Sequence, residues 1–135
     1  MIASTTLWRG SAAVPFLAAS AAIFIASSSP TLRPPDIGFD WQDKLFHAIA
    51  YFVYAACVHV LVLFTFRLHK PILVGGVVIA IGMLYAASDE WHQTFVEGRV
   101  GDVADWLADT VGVLLYVVTV IWLRSRRAVA ASGGR

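Results

Sequence analysis

The stretch that decides the fold is LFHAIAYFVYAACVHVLVLFTF, residues Leu45–Phe66. These 22 residues contain no Asp, Glu, Lys or Arg. As an α-helix with a rise of about 1.5 Å per residue, the stretch is about 33 Å long, which matches the hydrocarbon core of a bilayer. Because lipid offers no hydrogen bonds to free backbone N–H and C=O groups, such a segment must be helical. The sequence therefore predicts a helix that spans a membrane.

Further apolar stretches of similar length lie on both sides of it. They are Gly10–Ser29, Pro71–Ser88 and Val103–Leu123. We therefore predict an all-α membrane protein: a bundle of four transmembrane helices at about 10–29, 45–66, 71–88 and 103–123, in one domain over residues 1–124. Residues 125–135 are basic and rich in Ala, Gly and Ser, which predicts a disordered tail. The alternative for the first stretch is a cleaved signal peptide, since Arg9 precedes an alanine-rich run that ends in small residues.

The composition excludes several classes of protein. Of the 135 residues, 59% are hydrophobic and 14% are charged, whereas a soluble domain has roughly a quarter charged residues. The single cysteine, Cys57, excludes a disulfide framework and a cysteine-based zinc site. A net charge of +1 shows no bias toward polyanions, so nucleic acid is not an expected partner. The expected partner is the lipid bilayer, and the sequence allows either a monomer or an oligomer.

The charged residues indicate an orientation. The N-terminus, the second loop and the C-terminal tail hold seven of the ten cations: Arg9, Arg67, Lys70, Arg124, Arg126, Arg127 and Arg135. The first and third loops and the helix ends beside them hold Arg33, Lys44 and Arg99 with all nine carboxylates: Asp36, Asp40, Asp43, Asp89, Glu90, Glu97, Asp102, Asp105 and Asp109. By the positive-inside rule, both termini are predicted to be cytoplasmic and the acidic loops to face outward.

Two short patterns of equal spacing place polar groups inside the predicted helices. The first runs from Asp40 to His47 and the second from Asp102 to Asp109, seven positions in each case. Asp40 and Asp102 are typical helix caps. His47 and Asp109, seven positions after these caps, lie about 10 Å deeper in their helices. An ionisable side chain at such a depth in a membrane helix usually marks a function.

Lys44 indicates where these polar groups meet. Its charge opposes the positive end of the second helix's dipole, so it needs a carboxylate partner, for which Glu90 and Asp105 are the candidates. Lys44, His47 and Tyr51 share one face of the second helix. Polar faces of the second, third and fourth helices are therefore predicted to converge at one end of the bundle.

The ordered motifs that carry these residues resemble the VanZ-like family. They are Asp43-Lys44-x-x-His47-x-x-x-Tyr51, then Tyr85-x-x-x-Asp89-Glu90-x-x-Gln93-x-Phe95-x-x-Gly98-Arg99, then Asp102, Asp105, Asp109 and Gly112. The resemblance implies a small multi-helix protein of the bacterial cell (inner) membrane, in a family of which some members are associated with low-level resistance to teicoplanin. One departure is Asp109, where the family pattern usually has asparagine.

Two functions follow as hypotheses. In the first, the polar end binds an envelope amphiphile, such as a lipid-linked wall precursor or a lipoglycopeptide, with Lys44 and Arg99 meeting its phosphate or carboxylate groups. The candidate ligand-binding residues are Asp43, Lys44, His47, Tyr51, Asp89, Glu90, Gln93, Arg99, Asp105 and Asp109.

In the second, the protein is a membrane-embedded enzyme that acts on a lipid-linked substrate. His47, Glu90 and Asp105 are its candidate acid and base groups, with a divalent cation as an option between the carboxylates. Binding is favoured over catalysis, because the sequence contains no nucleophile elbow, P-loop or HExxH signature. The sequence assigns no cofactor and no resident metal. His59 is predicted to be a hydrogen-bonded packing residue, since the inner half offers no acidic relay for an ion path.

Overall fold

The computed structural model describes residues 2–32 and 34–132, and the side chains of residues 11–32 and 34–131. It contains four helices: α1 (Ile2–Ser27), α2 (Gln42–Phe64), α3 (Pro71–Gln93) and α4 (Val103–Ser132). The part of α4 over Val103–Ala131, together with α2 and α3, is long and apolar enough to cross a membrane, and Ser11–Ser27 of α1 forms a shorter apolar segment. The predicted all-α membrane bundle is confirmed.

The helix ends differ from the predicted ends. α4 continues past Leu123 to Ser132, so the prediction of a disordered tail is wrong for residues 125–132. The reason is that Ala and Arg are good helix formers and the first glycine of this segment is Gly133. α3 continues five residues past Ser88. The predicted end was the end of the apolar stretch, but the polar residues that follow it are still helical. Arg33, which the charge analysis counted on the acidic side, lies outside the described residues.

α2 is the central helix of the bundle, and it packs against the other three. α4 packs on α2 and α3, whereas α1 packs mainly on α2 and makes fewer contacts with α3. α2 and α4 approach each other closely at Gly112, where an added Cβ would collide with the backbone carbonyl of Ala48. Gly112 therefore lets two backbones meet, as small residues do in membrane helix pairs.

The buried core is formed by aliphatic and aromatic side chains below the polar end. Its members are Tyr51, Tyr54, Ala55, Val58, Val62, Val74, Val78, Ala86, Val113 and Val117. Tyr54 stacks on Tyr85 with ring centroids 4.7 Å apart, and α1 adds Phe16 to this aromatic group. The core thus joins α2, α3 and α4 beneath the polar residues, and Phe16 attaches α1 to it.

The two ends of the bundle differ in charge. The C-terminal ends of α1 and α3 and the N-terminal ends of α2 and α4 meet at one end, which holds all nine carboxylates and is called the acidic end. The opposite end holds the α2–α3 loop, with Arg67 and Lys70, and the last turns of α4, with Arg124, Arg126 and Arg127.

Candidate functional site

Lys44 lies at the centre of an ion-pair group at the acidic end. Its Nζ lies 2.5 Å from Oδ1 of Asp105, 3.2 Å from Oδ2 of Asp102 and 3.1 Å from Oδ2 of Asp43. Of the two partners that the sequence allowed, the structure selects Asp105 rather than Glu90. The reason is that α2 and α4 run in the same direction side by side, so that their first turns face each other.

Asp102 also caps α4, as predicted. Its Oδ1 accepts a hydrogen bond of 2.8 Å from the backbone N–H of Ala104. This bond and the nearby Lys44 ammonium lower the pKa of Asp102. The corresponding prediction for Asp40 is wrong, because the residue that precedes α2 is Trp41 and no side chain caps this helix.

His47 and Asp109 form a second layer, one turn deeper in the same helix pair. His47 Nδ1 lies 2.9 Å from Oδ1 of Asp109, and His47 Nε2 lies 3.7 Å from Oδ1 of Asp105. Asp109 is fully buried, and its Oδ2 has no hydrogen-bond partner among the described residues. A buried carboxylate oxygen without a partner is costly, which makes Asp109 a candidate for contact with a ligand.

Gln93 joins two buried carboxylates on α3. Its Nε2 donates to Oδ2 of Asp89 at 3.3 Å and to Oε1 of Glu90 at 3.2 Å. The backbone N–H of Asp102 donates to Oε2 of Glu90 at 2.8 Å, which ties α3 to the start of α4. Gly101 makes this contact possible, since an added Cβ there would meet the backbone oxygen of Glu90 at 2.5 Å.

Arg99 makes no ion pair with a carboxylate among the described residues. Its Nη2 donates to the backbone oxygens of Ala26 and Ser29, each at 2.7 Å, and of Leu32 at 3.1 Å. Ala26 lies in the last turn of α1, where a cation complements the helix dipole and replaces missing backbone donors, and Ser29 and Leu32 follow in the first loop. Arg99 therefore fastens α1 to the acidic end.

A cavity of about 160 Å³ lies beside these groups, between α1, α2 and the end of α3. One part of its lining is polar and consists of Ser27, His47, Tyr51, Asp89, Gln93 and Arg99. The other part is apolar and consists of Ile23, Ala26, Leu32, Pro34, Phe46 and Ala50. The Tyr51 hydroxyl is buried and has no partner among the described residues.

The structure therefore divides the predicted ligand-binding residues into two groups. His47, Tyr51, Asp89, Gln93 and Arg99 line the cavity. The others lie outside its lining, in the polar layers around His47 and Lys44: Asp43, Lys44, Glu90, Asp105 and Asp109.

Sequence reasoning missed the part of the cavity that α1 and the first loop form. This part carries no charged motif, and only the prolines of the loop indicated an irregular segment there. The sequence raised a divalent cation only as an option beside His47, Glu90 and Asp105, and it did not predict Asp109 as a ligand. His47, Glu90 and Asp109 each bring one ligand atom to within 4.8 Å of the others.

His59 lies in the half of the bundle away from the acidic end. Its Nδ1 lies 2.8 Å from the Tyr116 hydroxyl, and it is buried. The prediction of a hydrogen-bonded packing residue is confirmed. Its partner comes from α4, so the contact repeats, deeper in the bundle, the pairing of α2 with α4.

Comparison with known proteins identifies one match. A model of the protein family described as VanZ/LLP1 matches residues 6–124, nearly the whole chain. No curated protein and no solved structure matches the chain. Every residue of the cavity and of the polar layers lies within the matched region.

Proposed function

The chain belongs to the VanZ/LLP1 family, and from its cavity we propose that this multi-pass membrane protein binds the head of an envelope amphiphile, such as a lipid-linked wall precursor. The observation that carries the proposal is that the cavity lining combines apolar and polar side chains. An amphiphile needs both, since its chain needs apolar contacts and its head needs hydrogen bonds.

The polar part of the cavity supports binding because its groups are buried and incompletely paired. Asp89 and Gln93 are 6% and 5% exposed. The Tyr51 hydroxyl has no partner among the described residues. Burying a polar group without a hydrogen bond costs about 1 to 3 kcal/mol in proteins, and a ligand head with hydroxyl or amide groups would recover this cost.

The cavity opens toward the outer side of a bacterial cell membrane in this proposal. The support is the segregation of charge, since the opposite end of the bundle holds Arg67, Lys70, Arg124, Arg126 and Arg127. Basic residues favour the cytoplasmic side, so the acidic end would face the compartment in which wall precursors are used.

Native mass spectrometry of the detergent-purified protein tests the binding proposal. We expect a retained lipid, which Ala50→Phe should remove because Ala50 lines the cavity. The matched control is Val53→Phe, which introduces the same side chain at an exposed position of α2 outside the lining. Equal retention by both variants, or no retained lipid in the unmodified protein, would reject the proposal.

The association of this family with teicoplanin resistance extends the proposal to glycopeptide tolerance. Expression in a susceptible host should raise the tolerated concentration of teicoplanin, and Gln93→Leu should abolish the gain while membrane abundance stays unchanged. Gln93 suits this test because it is buried in the cavity lining and lies outside the ion-pair group of Lys44. If the tolerance survives the substitution, the cavity does not cause it.

A second candidate function is catalysis, and the contact between His47 and Asp109 is the observation that favours it. A carboxylate that holds an imidazole is a common arrangement for general acid and base chemistry, for which Glu90 and Asp105 are further groups. Incubation of the purified protein with a bacterial lipid extract distinguishes the two functions. Time-dependent conversion of a lipid that stops in His47→Gln would indicate an enzyme, whereas retention without conversion would indicate binding.

A further inference from the structure

We propose that His47, Glu90 and Asp109 form a binding site for one divalent cation of the first transition series, such as Zn²⁺ or Mn²⁺. The three residues come from α2, α3 and α4, so the site would join three helices of the bundle. The proposal rests on their geometry, burial and charge, and it stands whether or not the cavity binds an amphiphile.

The geometry of the three residues fits a cation. Each contributes one ligand atom, and these atoms lie within 4.8 Å of one another. A cation held tetrahedrally at about 2.0 to 2.2 Å from each ligand atom separates those atoms by roughly 3.3 to 3.6 Å. The ligand atoms therefore need to approach one another by at most about 1.5 Å, which side-chain rotation can supply.

Burial makes a bound cation favourable here. Asp109 is fully buried and Glu90 is 8% exposed, while Oδ2 of Asp109 has no partner among the described residues. Two carboxylates in such a place repel each other unless a proton or a cation lies between them. The unpartnered oxygen is an independent sign that the group is incomplete without a ligand.

Among the described residues, no lysine or arginine supplies the missing positive charge. No Lys or Arg nitrogen of these residues lies within 4.0 Å of a carboxylate oxygen of Glu90 or Asp109. Lys44 is shared among Asp43, Asp102 and Asp105, and Arg99 binds backbone carbonyls at the end of α1 and in the first loop. A divalent cation would balance the two carboxylates while His47 stays neutral.

The ligand set indicates the class of cation. Imidazole suits zinc, copper, iron and nickel, and carboxylates extend the range to manganese, whereas calcium and magnesium prefer sites made of oxygen alone. Three protein ligands leave at least one coordination position for another group. His47 also lines the cavity, so the cation would lie close to its polar part. The further step that the cation attracts an anionic head, such as a phosphate, rests on the proposed function.

Titration with the metal alone tests the site. The protein is purified in detergent, treated with a chelator, and titrated with ZnCl₂ in an isothermal calorimeter. We expect one equivalent to bind and the thermal midpoint to rise. His47→Gln, Glu90→Gln and Asp109→Asn should each weaken binding by at least about tenfold, since even the partners of metal ligands contribute about 10- to 100-fold.

The matched control is His92→Gln, which removes a histidine from the same end of the bundle without touching the cluster. It should bind ZnCl₂ as the unmodified protein does. Equal loss of binding in this control, or tight binding in all three cluster variants, would overturn the proposal. A cobalt titration of the unmodified protein needs no variant: visible bands of a four- or five-coordinate Co²⁺ support the site, and a spectrum identical to aqueous Co²⁺ contradicts it. Because neither titration contains lipid, a failure of the amphiphile proposal leaves both results unchanged.

Discussion

His47 Nδ1 lies 2.9 Å from Oδ1 of Asp109, one turn below the contact between Lys44 and Asp105. These two contacts join the same pair of helices, α2 and α4, in successive layers. The outer layer is an ion pair at the edge of the bundle, where the side chain of Asp105 is 15% exposed. The inner layer ends on a side chain without solvent exposure. The helix pair therefore carries polar groups from the edge of the bundle into its buried interior.

The coupling of His47 with Asp109 can be measured by a double-mutant cycle with His47→Gln and Asp109→Asn. We expect each single variant to lower the thermal midpoint in detergent, and the double variant to lose less than the sum. The expected coupling free energy is about 1 to 3 kcal/mol, because a hydrogen bond to a charged group in a buried place contributes that much. Strict additivity would show that the contact does not stabilise the fold.

Lys44→Met should destabilise the protein, because it leaves Asp105 without its cation. Lys44 has 26% of its side chain exposed, so the expected loss is about 1 to 3 kcal/mol, between the values for surface and buried pairs. The thermal midpoint in detergent measures it. Adding Asp105→Asn to Lys44→Met should restore part of the loss, whereas adding Glu90→Gln should not. Recovery with Glu90→Gln alone would mean that Lys44 pairs with α3.

Gly112→Ala should separate α2 from α4. A Cβ at this position meets backbone atoms of Ala48, which cannot move aside as a flexible side chain can. Overpacking of this kind costs about 1 to 3 kcal/mol or more, so folded yield and thermal midpoint should both fall. The control is Gly76→Ala, where an added Cβ finds no atom within 4 Å. If both variants are equally stable, the close helix contact is not required.

Arg99→Lys should loosen the end of α1 although it keeps the charge. Lysine lacks the forked guanidinium with which Arg99 reaches three backbone oxygens. Hydrogen exchange should therefore become faster at the amides of Ser28 and Ser29, which close the last turn of α1. Exchange in α4 serves as the internal reference and should not change. Unchanged exchange at both serines would show that Arg99 does not hold α1.

The proposed orientation can be tested by cysteine labelling in a Cys57→Ser background. Asp36→Cys and Glu97→Cys, both exposed at the acidic end, should react with a membrane-impermeant thiol reagent in intact cells. Ser125→Cys should react only after lysis. These positions avoid Gly38 and Gly98, whose φ angles of 90° and 79° would strain a cysteine. Labelling of Ser125→Cys in sealed cells would reverse the orientation.

The amino-acid sequence alone determined the fold class and the segregation of charge. Both depend on local properties. An apolar run such as Leu45–Phe66 has the length of a bilayer core, and charged residues are excluded from such runs. The need of Lys44 for a carboxylate also followed from its place on a helix dipole. The helix ends were predicted less well. Hydropathy shows which residues suit contact with lipid, whereas the end of a helix depends on capping and on backbone propensity.

Only the tertiary structure decided which polar groups meet. Glu90 and Asp105 were equal candidates for Lys44 by sequence, and the choice depends on the rotation and closeness of α2 and α4 at Gly112 and Ala48. In the same way, Arg99 binds the backbone carbonyls of Ala26 and Ser29, which lie 73 and 70 residues away in the sequence and have no side-chain signature. The cavity lies between α1, α2 and α3, and the cluster of His47, Glu90 and Asp109 joins α2, α3 and α4. The packing between distant segments determines such sites, so they cannot be predicted from the order of residues within one segment.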